Sequence, residues 1–251
     1  MHRKYAKLAR LDRKEDEPGS GLKQSTRDQL LESEGLVSVR RIPPNRRSVT
    51  GLLPSRKNGR MVSFESSLER DLATILEFDE AVLSFQEQPV KLRYERAGRR
   101  CPPGVPDFLV TYHEHIGRRP LLIDVKYRNE LFERWPDLKP RLLAAKRFAM
   151  CEGWNYRILT EVEIRTPYLD NARFLLPYQR CAPDPIHEEQ LLSALRLLKC
   201  TPIQALLETC CADEWNRAQL IPTLWCLIGL RNISTDLEKS LTMSSNVWLP
   251  G

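Results

Sequence analysis

Two short stretches, Pro106-Asp107-Phe108-Leu109-Val110 and Pro120-Leu121-Leu122-Ile123-Asp124-Val125-Lys126, decide the predicted fold of this 251-residue chain. Both have the apolar composition of buried strands, and the short segment between them favours neighbouring strands of one sheet. Side chains two residues apart on a strand share a face, so Asp124 and Lys126 point the same way. If the two strands pair as a hairpin, Asp107 lies beside them at one edge of the sheet.

The segments around this hairpin extend it into an α/β domain over residues 62–180. Apolar residues recur at helical spacing or in strand-like runs. They predict, in chain order, a helix over 68–76, strands over 81–85 and 90–94, a helix from Leu138 to Glu152 and a strand from Trp154 to Leu159. A helix, an antiparallel meander, a helix and a strand together predict a mixed sheet flanked by helices.

A second, smaller domain is predicted over residues 181–251, after the linker Cys181-Ala182-Pro183-Asp184-Pro185. Three blocks of helical periodicity follow the linker, and the tail from Ile233 to Leu249 suits a small hairpin. The blocks run from Glu188 to Leu198, Pro202 to Cys211 and Glu214 to Leu230. Three helices plus a hairpin predict a mainly α, winged-helix-like domain.

The first 61 residues are predicted to form a basic N-terminal arm and strap, with one short helix over 25–34. Residues 40–60 contain seven Lys or Arg and no Asp or Glu, and their Pro and Gly residues argue against regular structure. An extended basic strap suits contact with DNA phosphates, whereas the alternative is an ordinary solvated loop. The predicted DNA-binding residues are Arg40, Arg41, Arg46, Arg47, Arg56, Lys57 and Arg60.

Composition and charge narrow the class of protein. The seven cysteines are odd in number and form no Cys-x-x-Cys pair, so we expect neither a disulfide scaffold nor a zinc ribbon. Free cysteines fit a reducing compartment, and we therefore expect a cytoplasmic protein. No membrane span or secretory signal is predicted. From Cys181 to the end, five Lys or Arg stand against eight Asp or Glu, whereas the preceding part has a net charge of +9. Positive charge there suggests a polyanionic partner.

Four residues are the candidates for chemistry: Glu69 on the first helix, with Asp107, Asp124 and Lys126 at the sheet edge. The three carboxylates are hard oxygen ligands of the kind that bind Mg²⁺, for which Mn²⁺ can substitute. A bound metal lowers the pKa of its water and offsets charge on a phosphate, and Lys126 would stabilise the hydroxide or the developing oxyanion. This pattern predicts metal-dependent hydrolysis of phosphodiesters.

Glu69 has an alternative role. The stretch Ser66-Ser67-Leu68-Glu69 also fits a capping box, in which the carboxylate only satisfies the start of the helix. The residues alone leave both roles open.

The arrangement resembles the restriction-endonuclease fold and, more closely, the TnsA family of that superfamily, the endonuclease subunits of heteromeric bacterial transposons. The order and spacing of motifs hold across residues 62–178 and more loosely beyond. The stretches that carry the resemblance are Ser66-Ser67-Leu68-Glu69, Val82-Leu83-Ser84-Phe85-Gln86-Glu87-Gln88-Pro89, Pro106-Asp107-Phe108-Leu109-Val110, Leu122-Ile123-Asp124-Val125-Lys126 and Ile158-Leu159-Thr160-Glu161-Val162-Glu163-Ile164-Arg165.

The resemblance implies an Mg²⁺-dependent endonuclease that cuts the 5′ ends of a transposon at double-stranded DNA. It implies a partner transposase of the Asp-Asp-Glu class (TnsB), an AAA+ regulator (TnsC) and a place in the bacterial cytoplasm, at the nucleoid when active. The family's catalytic Glu, Asp and Lys correspond to Glu69, Asp107 and Lys126. Gln occurs in the family at the position of Asp124, where Asp is the commoner residue of the superfamily.

Two other functions compete with this one. A stand-alone restriction or repair endonuclease would use the same four residues and cut DNA without partners. A winged-helix DNA-binding regulator would not be an enzyme. It predicts a positively charged C-terminal domain, whereas residues 181–251 have a net charge of −3. That negative charge favours a C-terminal domain that docks on protein.

Overall fold

The computed structural model describes residues 49–251 and divides the chain into two compact units, with the boundary between Ile164 and Arg165. The predicted helix over 25–34, and with it Arg40, Arg41, Arg46 and Arg47, lies outside the described residues. In chain order, the described part of the first unit comprises β1 (Gly51–Ser55), β2 (Arg60–Phe64), α1 (Ser67–Phe78), β3 (Val82–Glu87), β4 (Glu95–Arg96), β5 (Arg99–Arg100), β6 (Phe108–Tyr112), β7 (Leu121–Val125), α2 (Arg128–Cys151), β8 (Asn155–Leu159) and α3 (Glu161–Ile164).

A four-stranded mixed sheet of order β3-β6-β7-β8 forms the framework of the first unit. The β3–β6 and β6–β7 pairs are antiparallel, and β7–β8 is parallel. One hydrophobic cluster joins the sheet to α2 and is formed by Val90, Leu92, Leu109, Leu122, Ala145, Phe148 and Ala149. The predicted apolar face of α1 is also buried, at Leu68, Leu72, Ile75 and Leu76. The predicted α/β class with a mixed sheet and flanking helices is therefore confirmed.

Two predicted elements of this unit are wrong in detail. The segment from Val90 to Tyr94 is not a strand. It makes one isolated bridge, between Leu92 and Gly104, although Val90 and Leu92 are buried. Helix α2 begins ten residues earlier than predicted, because a kink at Arg134 joins a first segment to the predicted one.

The Pro and Gly content of the basic strap predicted irregular structure, but the end of the strap is regular. Strands β1 and β2 pair as an antiparallel hairpin, in which Pro54 lies opposite Met61. A two-stranded hairpin consists of edge strands, where Pro is tolerated, and Gly59 adopts a positive φ of 62° in the turn. The predicted boundary at residues 61/62 therefore falls inside a strand.

The turn of this hairpin is fixed to the sheet and to α1 by polar contacts that are buried or partly buried. Arg60 donates from Nη1 and Nη2 to the two carboxylate oxygens of Glu87, each at 2.6 Å. Lys57 donates from Nζ to the carbonyl oxygens of Asp79 and, at 2.6 Å, of Val82. Glu77 accepts a hydrogen bond from the Ser55 hydroxyl at 2.7 Å. Glu87, a polar residue without an assigned role in the sequence, thus holds the hairpin in place.

The Arg60–Glu87 pair predicts a pH-dependent stability. Burial raises the pKa of Glu87, but hydrogen bonds from Arg60 and from backbone amides lower it by more, so the net pKa is lowered. A carboxylate with a lowered folded pKa contributes stability above its unfolded pKa of about 4.3 and loses it as pH falls through the folded pKa. Glu87→Gln should therefore destabilise the protein at neutral pH, and in urea unfolding its stability should converge with that of the wild type as pH falls below the folded pKa of Glu87. A difference that persists unchanged into acid would contradict this.

The second unit comprises α4 (Pro167–Leu175), α5 (Pro185–Leu198), β9 (Cys200–Pro202), α6 (Ile203–Cys210), α7 (Glu214–Gly229), β10 (Ser234–Thr235) and β11 (Asn246–Trp248). The last three helices match the predicted blocks to within a few residues. Asp184 and Asp213 cap α5 and α7 by accepting backbone hydrogen bonds. The predicted tail hairpin is present, and β9, which was not predicted, completes a sheet of order β10-β11-β9. This order of helices and strands fits the predicted winged-helix plan.

The boundary between the units lies sixteen residues before the predicted one at 180/181, because α4 belongs with the C-terminal part. Asn171 on α4 donates from Nδ2 to the carbonyl oxygens of Leu237 at 2.9 Å and Lys239 at 2.7 Å, and its Oδ1 accepts from Leu241 N. Local periodicity of the sequence cannot predict these long-range hydrogen bonds.

Among residues 49–251, none of the helices combines the length and the apolar character that a membrane crossing requires.

Candidate active site

The register of the sheet places three of the predicted residues together. Phe108 lies opposite Ile123 in the β6–β7 pair, so Asp107 and Asp124 come next on the two strands at the same edge. The Asp107 backbone N–H donates to Ile123 O at 2.9 Å, which continues the ladder to this point. Lys126 follows directly after β7. The hairpin geometry expected from the sequence is therefore present.

Asp107 and Lys126 form a half-buried ion pair. Lys126 Nζ lies 3.4 Å from Asp107 Oδ2 and donates to Val125 O at 2.7 Å. The Val125 backbone N–H donates to the same Asp107 oxygen at 2.5 Å. The side chains of Asp107 and Lys126 are 15% and 13% exposed. The carboxylate and the ammonium are therefore fixed relative to β7 while both still reach solvent.

Glu69 has the predicted capping contacts and also lies in the field of the catalytic candidates. The Ser66 hydroxyl accepts from the Glu69 backbone N–H at 3.1 Å and donates to Glu69 Oε1 at 2.9 Å. Glu69 Oε2 accepts from the Glu65 backbone N–H at 2.8 Å. Burial and the nearby Asp107 carboxylate raise the pKa of Glu69 to about 7, with Lys126 acting in the opposite direction. Glu69 therefore caps α1 and also interacts electrostatically with Asp107 and Lys126.

Asp124 is held by two partners that the sequence did not reveal. Its side chain is 1% exposed. Arg141 Nη2 on α2 donates to Oδ1 at 2.6 Å, and the Tyr156 hydroxyl on β8 donates to Oδ2 at 2.9 Å. Gly104 makes room for the arginine, since a Cβ at that position would lie 2.5 Å from Arg141 Cγ. A buried carboxylate requires such partners, but sequence spacing could not identify them.

The electrostatics of the site are dominated by burial and by repulsion between carboxylates. Burial and the Asp107 carboxylate raise the pKa of Asp124, and Arg141 opposes that shift. Burial lowers the pKa of Arg141, but the Asp124 and Asp107 carboxylates raise it by more. Burial and Asp124 raise the pKa of Tyr156, which keeps the phenol protonated as a donor. The site thus combines three carboxylates with two cationic side chains, those of Lys126 and Arg141.

The chemistry of this donor set fits a hard divalent cation. Glu69 and Asp107 supply carboxylate oxygens in a site with excess negative charge, which a cation would relieve. Within residues 49–251, no group of three or more His, Cys, Asp or Glu side chains is arranged to hold an ion as a set. The predicted ligand set of Glu69, Asp107 and Asp124 is thus not preassembled. Mg²⁺ is compatible with this, because it keeps several waters and needs only one or two carboxylates.

The predicted DNA-binding residues that the structure describes already have intramolecular roles. Lys57 and Arg60 hold the hairpin to β3 and to the segment just before it, as described above. Arg60 keeps 42% of its side chain exposed. Contact with DNA by these residues, and by Arg56, stays a prediction.

Comparison with protein families agrees with this geometry. A family model described as TnsA-like endonuclease N terminal matches residues 79–161, and one described as TnsA endonuclease C terminal matches residues 163–237. The chain belongs to the TnsA family. No curated protein gives a match.

Membership of the TnsA family makes the chain a transposon endonuclease that acts on DNA. The N-terminal TnsA match includes Asp107, Asp124 and Lys126, and Glu69 precedes it. The two TnsA matches meet at residue 162, close to the boundary of the compact units at Ile164 and Arg165. The division of the chain in the structure therefore agrees with the division into family domains.

Proposed function

We propose that this TnsA-family endonuclease is Mg²⁺-dependent and cuts the 5′ ends of a transposon during cut-and-paste transposition. It acts with a TnsB-type Asp-Asp-Glu transposase and a TnsC-type AAA+ regulator. The observation that supports this most is the ion pair of Asp107 and Lys126 at the sheet edge, in the field of Glu69. This combination would supply metal ligands and a cation, with Asp107 and Lys126 inside the matched N-terminal domain and Glu69 just before it.

Each side chain has a distinct role in the proposal. Asp107 and Glu69 would hold Mg²⁺, with Mn²⁺ as a substitute, and the bound ion would supply a water of lowered pKa and offset charge on the scissile phosphate. Lys126, fixed by Asp107 and Val125 O, would donate to the oxygen on which negative charge develops. Asp124, bound by Arg141 and Tyr156, would contribute its charge and hold the end of β7.

Cleavage of a plasmid that carries transposon ends tests this function directly. The full-length chain is incubated with the partner transposase, the AAA+ regulator and Mg²⁺, and the nicked strand is mapped on denaturing gels. We expect nicks at the 5′ ends only when the partners are present. Cleavage by the chain alone at unrelated sites would support a stand-alone nuclease instead, and the absence of 5′-end cleavage in the complete mixture would overturn the proposal.

Glu69→Gln separates the capping role of this residue from a catalytic one. Glutamine keeps an oxygen that accepts from the Glu65 backbone N–H but loses the charge that a metal ligand needs. We expect cleavage to fall by about a hundredfold or more, which corresponds to the loss of several kcal/mol of transition-state stabilisation. The melting temperature should change little, since even complete loss of a cap costs only about 0.5–2 kcal/mol. A fully active Glu69→Gln protein would leave only the capping role.

DNA contact is proposed to lie mainly in the basic N-terminal part, and partner binding in the acidic C-terminal part. Neutralising Arg46 and Arg47 should weaken DNA binding and reduce its log–log salt dependence by about one unit for each lost phosphate contact. Binding isotherms at several salt concentrations measure this slope. An unchanged slope in the Arg46→Gln, Arg47→Gln double variant would remove these residues from the DNA interface.

A further inference from the structure

Gln88, directly after β3, has a strained backbone at the edge of the sheet where the active site lies. Its φ is 47°, in the left-handed region that residues other than glycine rarely adopt. Among residues 49–251, the other non-glycine residues with positive φ are Ala97, Lys199 and Arg231. Ala97 lies in the turn between β4 and β5, and Arg231 follows the end of α7, where a positive φ is ordinary. Lys199 follows the end of α5, but its ψ of −57° lies outside the left-handed helical region.

The strain at Gln88 has no such local explanation, because the residue continues a ladder of strand hydrogen bonds. Its backbone N–H donates to Asp107 O at 2.9 Å. Strained conformations persist only where the surroundings impose them, and they cluster at functional sites. The fold therefore holds Gln88 in one defined position beside Asp107.

The Gln88 side chain adds a second, independent observation. The residue is 8% exposed, and its amide oxygen Oε1 is buried without a hydrogen-bond partner among the described residues. A buried acceptor without a donor is costly, and native proteins usually satisfy it with an ordered water or a ligand. We therefore expect a water or a ligand, and not a described residue of the chain, to donate a hydrogen bond to Gln88 Oε1.

The register identifies the neighbours of Gln88 across the sheet. Glu87 pairs with Phe108, and Phe108 pairs with Ile123, so Gln88, Asp107 and Asp124 form the following row across three adjacent strands. Neighbouring residues in such a row lie close together. Gln88 therefore lies at the same edge of the sheet as the two aspartates.

We propose that Gln88 is a positioning residue of the active site, whose side-chain oxygen accepts a hydrogen bond from a water held beside the Asp107 carboxylate. The proposal rests on the nuclease function proposed above, in which that water is one of those retained by Mg²⁺. A neutral amide suits this place better than an acid would. It supplies an acceptor without adding a further negative charge to Glu69, Asp107 and Asp124.

Gln88→Gly in the full-length chain tests the proposal, because glycine removes the amide and also relieves the strained φ. We expect the metal-free melting temperature to equal or exceed that of the wild type. The midpoint for stabilisation by Ca²⁺, measured from melting temperatures without cleavage, should rise by about tenfold, and Mg²⁺-dependent cleavage should fall by about 10- to 100-fold. A purely structural Gln88 would give the opposite pattern, with lower stability and unchanged metal affinity.

Ala97→Gly is the matched control, since Ala97 also has a positive φ, of 48°, and lies exposed in the turn between β4 and β5. Its Ca²⁺ midpoint and its cleavage should match those of the wild type. Gln88→Asn, which tolerates positive φ but withdraws the oxygen by one methylene, should reproduce the metal and cleavage defects and replaces glycine if that variant does not fold.

Two outcomes overturn the proposal in distinguishable ways. A wild type that cleaves, together with Gln88 variants that retain its Ca²⁺ midpoint and its cleavage, removes Gln88 from the site and leaves the nuclease function standing. A wild type that neither responds to metal nor cleaves removes the proposed function and this proposal with it.

Discussion

Asp107→Ala should abolish strand cleavage, with a loss on the order of a thousandfold or more, while the protein remains folded. The carboxylate lies at the junction of β6 and β7, 3.4 Å from Lys126 Nζ, in the position proposed for a metal ligand. Loss of a ligand removes several kcal/mol of transition-state stabilisation, and each 1.36 kcal/mol corresponds to about a tenfold change in rate. The measurement is single-turnover cleavage of transposon-end plasmid with all partners present.

The fold should survive this substitution, because the structural cost is limited. Alanine leaves the Val125 backbone N–H without its acceptor, which costs about 1–3 kcal/mol, against a typical total stability of about 5–15 kcal/mol. Asp107→Asn is the sharper variant, since its amide oxygen still accepts from Val125 while the charge is lost. We expect Asn to restore stability but not cleavage. Cleavage at the wild-type rate by either folded variant would remove Asp107 from the catalytic group.

The meeting of Asp107, Asp124 and Lys126 was predictable because it depends on local rules. Strand periodicity fixes which side chains share a face, and a short connection makes antiparallel pairing of two strands the simplest arrangement. Both rules act within twenty residues along the chain. The same is true of the capping contacts of Glu69, which involve only Glu65 and Ser66.

The features that sequence reasoning missed depend on contacts between distant parts of the chain. Pro54 and Gly51 predicted irregular backbone. The hairpin is instead anchored by Ser55 and Arg60, which bind Glu77 and Glu87 more than twenty positions away along the chain. Val90 and Leu92 alternate as strand residues do, but they fill the core without joining the ladder. Alternation of apolar and polar residues indicates which side chains are buried. A buried segment need not pair its backbone with a neighbouring strand.

The guanidinium of Arg141 is the clearest case of information absent from local sequence. Nothing in the helical pattern of α2 distinguishes it from Arg134 or Arg147, but the crossing of α2 over the sheet brings it to Asp124. Its partner carboxylate is buried, and so the pair has consequences that an exposed ion pair would not have.

Arg141→Met should be among the most destabilising single substitutions in the first unit, at about 3–5 kcal/mol. Methionine keeps most of the apolar stem that packs beside Gly104 but leaves Asp124 buried with only the Tyr156 hydroxyl as partner. Lys126 then remains as a nearby cation, but a buried carboxylate that has lost its ion-paired arginine should bind a proton or move towards water, and both responses disturb the end of β7. Urea unfolding at neutral pH measures the loss.

A double-mutant cycle separates this electrostatic cause from lost packing. In an Asp124→Asn background the carboxylate is gone, so Arg141→Met should cost much less than it does in the wild type. If the cost is the same in both backgrounds, lost packing and not the ion pair explains it. Arg134→Met is the matched control on the same helix. Arg134 is 58% exposed and contacts Glu130 at 3.4 Å, and loss of such a surface pair should cost only about 0.3–0.5 kcal/mol.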